Sequence, residues 1–161
     1  MRAFFMSRYE EATLALLRMV AGLMFIEHGL QKLFGMLPTP GQPARIAEAF
    51  SRSWFAGVLE LTLGPLFVLG LGTRWCAFIL SGEMAFAYFL VHAPRGFWPI
   101  MNRGELPALY CFLFFYFAAR GGGRYSLDAL IARRRAPADA RDAGGAATEP
   151  VPARERDLQR V

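Results

Sequence analysis

The chain has 161 residues, of which 55% are hydrophobic and only 19% charged. That length is one domain's worth, and its apolar runs are long and nearly free of charge, which argues against a soluble helical domain, where each surface helix needs a polar face. The net charge of +5 does not point to nucleic acid, because much of the excess sits at Arg120, Arg124 and Arg133 to Arg135, where membrane orientation and anionic lipid account for it.

A membrane-crossing helix needs roughly 20 apolar residues. Arg2 and Arg8 make a basic start, but the apolar stretch after Glu11 runs for a full span and no small-residue cleavage site closes it. Residues 12–33 therefore read as a retained first helix and not as a cleaved signal. Arg18, Glu27 and His28 interrupt it. The following loop carries Pro38, Pro40, Gly41 and Pro43, and its second half, residues 44–50, reads as a short interfacial helix.

The second span is expected over residues 54–71, interrupted by Glu60, and the third over 75–91, interrupted by Glu83. The tight turn at residues 70–74 makes them antiparallel neighbours. Proline and glycine exclude continuous helix from 92 to 104, while Phe97 and Trp98 suit the water–lipid interface. The fourth span, 105–119, is the shortest. Its Pro107 falls in the first turn, where the missing N–H costs nothing. Beyond Ala136 the composition of Ala, Arg, Asp, Gly and Pro predicts disorder. The expected fold is all-α: a membrane-embedded antiparallel four-helix bundle over residues 1–130, with a disordered basic tail over 131–161.

An even number of spans puts both termini on one side. Arg2, Arg8, Arg74, Arg120, Arg124 and Arg133 to Arg135 would share that side, against Lys32, Arg45, Arg52, Arg95 and Arg103 on the other. The bias puts both termini in the cytoplasm of a bacterial-type plasma membrane.

Ionisable groups inside a membrane are costly, so they face other helices and pair. At about 1.5 Å per residue, Arg18 and Glu83 lie at matching depth from the same side. An intramembrane Arg18–Glu83 ion pair is expected, either fixing helix register or serving function. Nearer the opposite face, Glu27, His28, Glu60, His92, Asn102 and Glu105 reach one level from four helices. Gly57, Glu60 and Gly64 share a face of the second helix, and Gly22 and Gly29 one of the first, so close helix packing and a polar pocket are both open readings. In such a pocket, imidazole and carboxyl groups suit proton exchange with a quinol. No ligand spacing supports a metal. Cys76 and Cys111 belong near different levels, more than ~10 Å apart, beyond disulfide reach.

The stretch Arg18-Met-Val-Ala-Gly-Leu-Met-Phe-Ile-Glu-His-Gly-Leu-Gln-Lys-Leu-Phe-Gly35 resembles the first helix of the DoxX family of bacterial membrane proteins. Gly57-Val-Leu-Glu60, Gly82-Glu-Met-Ala85, His92-Ala-Pro-Arg-Gly-Phe-Trp-Pro99, Asn102-Arg-Gly-Glu105 and Gly121-Gly-Gly-Arg-Tyr-Ser-Leu-Asp128 extend the resemblance over roughly residues 10 to 130. The resemblance implies a four-helix membrane fold. It also implies association with quinol-oxidase, thiosulfate:quinone oxidoreductase or oxidative-stress systems, without assigning catalytic roles. Positions that match the shared motifs include Gln31 and Lys32 as well as the polar set above. The expected role is an accessory or anchoring subunit of a membrane redox enzyme, with no covalently bound cofactor. The alternative is a quinone-reactive oxidoreductase subunit with its head-group site at Glu60, His28 and Glu105.

Overall fold

A computed structural model of the protein describes residues 9–38 and 40–135. The basic start at Arg2 and Arg8 and the expected disorder beyond Ala136 lie outside them. The described residues are helical, with no strand among them.

Helix α1, Glu10–Phe34, runs 25 residues. It opens on Glu10 and Glu11, favourable beside free N–H groups, and closes on Gly35 at φ 65. Helix α2, Arg52–Leu69, is capped by the Ser51 hydroxyl, which accepts from Trp54 N–H, and ends on Gly70 at φ 71. Helix α3, Thr73–Ala87, continues through a π turn at Tyr88–His92 and a 3-10 turn at Ala93–Arg95. These three segments are long and apolar enough to cross a membrane. A single turn, α4 (Pro99–Asn102), precedes α5, Glu105–Arg120. The 16 residues of α5 rise roughly 24 Å. Helix α6 is Leu127–Arg135.

The interfacial helix expected over residues 44–50 is not formed. This segment runs without regular structure, and the Ala47 N–H donates to the Lys32 carbonyl at 2.7 Å. The loop thus folds back onto the end of α1, where a helix leaves its last carbonyls unpaired.

Glycine sets how the helices meet. A Cβ on Gly29 would stand 2.9 Å from Leu61 N and 3.0 Å from Gly57 O, and one on Gly22 3.1 Å from Gly64 O. The α1 and α2 backbones are therefore in direct contact, as small-residue faces permit. Helix α3 packs on α5, tied by the Ser81 hydroxyl donating to Cys111 O at 2.8 Å. Edge-to-face aromatic contacts join the two pairs: Phe114 of α5 meets Phe25 of α1 at 4.6 Å and Phe67 of α2 at 5.1 Å. Cys76 and Cys111 are both free thiols.

The outward faces are apolar too, with Trp75, Phe78, Phe86, Phe89, Phe112 and Phe115 exposed. Water would penalise such a surface, whereas lipid tails match it.

The end of the helices nearest the termini is closed by the segment after α5. Asp128 accepts from Gly72 N–H (2.7 Å), Thr73 N–H (2.8 Å) and the Thr73 hydroxyl (2.8 Å), so it caps α3 from 55 residues away. Arg74 donates to the last carbonyls of α5, at Ala118 (3.1 Å) and Ala119. Glu11 joins Arg120 at 2.8 Å and accepts from Arg124 N–H at 2.6 Å. Partial burial works against the Asp128 charge. The Thr73 and Gly72 donors and the nearby Arg18 guanidinium outweigh it and hold the carboxyl below its ordinary range.

Candidate functional site

One face of α1 carries Phe25, His28, Gly29 and Lys32, at the i, i+3, i+4, i+7 spacing of a single helical stripe. The close approach at Gly29 and Gly57 brings α2 against that stripe. As a result Glu60, 1% exposed, meets the ammonium of Lys32 at 2.5 Å. The pair is asymmetric: the Lys32 side chain is 27% exposed and that of Glu60 only 2%. Glu60 uses one carboxylate oxygen in this contact. Its Oε2 and both oxygens of Glu83 are buried without a hydrogen-bond partner. An unmade buried hydrogen bond costs about 1–3 kcal/mol, and more for a charged group, so three such oxygens beside one lysine need a physical reason.

Lys32 stands where three cavities meet. A groove of about 810 Å³ between α2 and α3 is lined by Lys32, Glu83, Leu59, Ala87 and Val91, with Arg52 at its rim. An inner cavity of about 230 Å³ between α1, α2, α3 and α5 is lined by Lys32, Glu60, His28, Tyr110 and Leu106. A third, of about 250 Å³, lies under the first loop, among Lys32, Gln31, Gln42, Arg45 and Ser53.

The residues expected to converge are divided by the structure. Glu60 and His28 share the inner cavity. Glu27 and Glu105 are exposed and line none of the three. Asn102 is buried but spends its side chain on the loop, donating to Gly96 O at 2.7 Å and accepting from Gly104 N–H at 2.7 Å. His92 Nδ1 lies 3.1 Å from Asn102 O. Both residues thus shape the loop around α4 and are not part of the cavity walls.

The expected Arg18–Glu83 ion pair is not formed. Arg18 is 2% exposed and directs its guanidinium toward the termini end, donating to Tyr125 O at 2.8 Å, Val68 O at 3.4 Å and Gly122 O. Glu83 looks into the groove instead and interacts electrostatically with Glu60 and Lys32. Matching backbone depth did not decide the pairing, because the long arginine side chain reaches away from its own level to open carbonyls.

The residue missing from the expected set is Lys32. Its sequence signal was its place on the Phe25–Gly29 stripe, four residues after His28.

A family model described as DoxX matches residues 13–93, half of the chain. The protein belongs to the DoxX family. The matched stretch contains Arg18, Lys32, Glu60 and Glu83 and stops short of Asn102, Glu105 and Asp128. The DoxX chain is 44% identical over 126 residues to an uncharacterised protein of Haemophilus influenzae, covering 76% of this chain and 93% of that one. It is 32% identical over 143 residues to an uncharacterised membrane protein of Mycobacterium tuberculosis, covering 78% and 85%. A second Haemophilus influenzae protein is 29% identical over 131 residues, covering 74% and 83%. No solved structure matches this DoxX chain significantly.

Proposed function

We propose that this DoxX protein is a bacterial plasma-membrane subunit with α5 as its fourth span, completing an antiparallel four-helix bundle whose termini face the cytoplasm. In this reading it serves a membrane redox system as an accessory subunit, holding a lipid-soluble quinone for a partner subunit that carries the redox centre. The observation that carries the reading is the unpartnered carboxylate of Glu83 beside Lys32 in a groove lined mainly by apolar side chains, with Arg52 and Ser53 also in its wall, together with the unpartnered Oε2 of Glu60, the Lys32 partner that lines the adjoining inner cavity.

The donor set fits such a ligand. A quinone head supplies carbonyl acceptors that become hydroxyl donors on reduction. The Lys32 ammonium has three N–H donors, and Glu60 engages it through one oxygen, so it retains capacity for a carbonyl. Glu83 accepts from a hydroxyl when ionised and donates to a carbonyl when protonated. Leu59, Phe86 and Leu90 line the groove and offer apolar contact to an isoprenoid tail.

The test is extraction and quantification of quinone from the detergent-purified protein. The wild type should carry quinone well above its proportion in the surrounding lipid, and Glu83→Gln should lose at least tenfold of it while Glu27→Gln retains it. Equal quinone in Glu83→Gln and wild type would reject the assignment. A co-purifying soluble redox protein with no quinone would leave the accessory role without the ligand.

A further inference from the structure

The groove and the cavity under the first loop share two lining residues, Lys32 and Ser53. The groove opens between α2 and α3, where the neighbouring surface is apolar: Phe55, Phe86, Leu90 and Val91 are all exposed. The loop cavity differs in kind, with Gln31, Gln42 and Arg45 in its wall. Gln42 and Arg45 are exposed. Its shape is fixed at two points: the Gln31 side-chain amide donates to Leu37 O at 2.9 Å, and Ala47 N–H donates to Lys32 O at 2.7 Å. Its 250 Å³ is room for roughly eight waters at about 30 Å³ each.

We infer that the site has two doors, a lipid door between α2 and α3 and an aqueous vestibule under the first loop, meeting at Lys32. The vestibule gives Lys32 contact with water and protons on the side opposite the start of α1, and Lys32 in turn stands against Glu60 and shares the groove with Glu83, while an apolar ligand arrives from the bilayer. Three observations support this. Lys32 is more than a quarter exposed while its partner Glu60 is sealed. The loop segment expected to be helical is instead irregular and hydrogen-bonded to the end of α1. Lys32 of α1 and Ser53 of α2 line both cavities, while Arg52 and Glu83 line the groove and Arg45 the loop cavity. The inference concerns access, and it stands whether or not the membrane ligand is a quinone.

Cysteine accessibility in intact membranes tests it, in a background with Cys76 and Cys111 replaced by alanine. The probe is a small quaternary-ammonium methanethiosulfonate, which does not cross lipid. Lys32→Cys and Ser53→Cys should react from the same side as Gln42→Cys, at rates within about tenfold of it. Adding Ala44→Trp at the vestibule wall should slow Lys32→Cys at least tenfold. Phe86→Cys, on the lipid-facing rim, should react only with a membrane-permeant maleimide. If Lys32→Cys does not fold, the Ser53→Cys comparison with and without Ala44→Trp carries the test. Reaction of these positions only with the permeant reagent, or rates unchanged by Ala44→Trp, would overturn the vestibule while leaving the quinone measurement intact.

Discussion

Replacing Lys32 by methionine keeps most of the unbranched side chain and removes its ammonium charge. Glu60 is then left 1% exposed with neither oxygen paired, since Oε2 already lacks a partner. Removing one member of a buried ion pair costs about 3–5 kcal/mol. A ceiling comes from the escape open to the carboxyl: taking a proton at pH 7 costs an ordinary glutamate about 4 kcal/mol, at 1.36 kcal/mol for each unit between 4.3 and 7. The expected loss is therefore about 3–4 kcal/mol. The reverse change, Glu60→Gln, should cost less, about 1–2 kcal/mol, because the partly exposed lysine can turn toward the loop cavity and the amide still accepts one hydrogen bond. For a chain of this length each kcal/mol moves the melting point by roughly 2–4 °C, so Lys32→Met should melt about 6–16 °C lower in detergent. The double variant Lys32→Met, Glu60→Leu should recover most of that loss. Equal costs for the two single variants, or a Lys32→Met loss below about 1 kcal/mol, would refute the asymmetric pair.

The other predictions concern packing and the end nearest the termini. Gly29→Ala pushes a Cβ to within 3.0 Å of the α2 backbone and should cost about 1–3 kcal/mol by separating the helices. Gly82→Ala meets nothing within 4 Å and should gain about 0.5–1 kcal/mol; unfolding in a detergent titration compares the two. Asp128→Asn should destabilise by about 0.5–2 kcal/mol at neutral pH, the range for a helix cap. Because the native Asp128 carboxyl is held below its ordinary value, its contribution is complete above about pH 4 and fades as pH falls through the lowered native value. Melting curves of the two proteins should therefore converge below pH 4. A double-mutant cycle of Arg18→Met with Glu83→Gln should show a coupling below about 0.5 kcal/mol, as for residues without shared partners; a coupling of several kcal/mol would restore the ion pair between them.

The sequence showed heights more clearly than directions. The apolar runs located α1, α2, α3 and α5 to within a few residues, and the spacing of Gly57, Glu60 and Gly64 marked the face of α2 that is buried. Glu27 was placed at the right level but on the wrong side of α1. At about 100° per residue it lies opposite Gly22, Phe25 and Gly29, the residues that α1 buries. Lys32 lies on the buried side by the same arithmetic, but a lysine near a helix end also has the ordinary explanation of setting orientation. The partner of Arg18 was not legible at all, because it is backbone: the carbonyls of Val68, Gly122 and Tyr125 come together only when the segment after α5 folds back.

That last arrangement sets an order on biogenesis. Arg18 belongs to the first helix made, yet two of its acceptors are synthesised 104 and 107 residues later. Until they are made, the guanidinium of α1 lacks those two hydrogen-bond acceptors. A chain truncated after residue 120 would keep α1, α2, α3 and α5 but leave Arg18 with the Val68 carbonyl alone of these three acceptors.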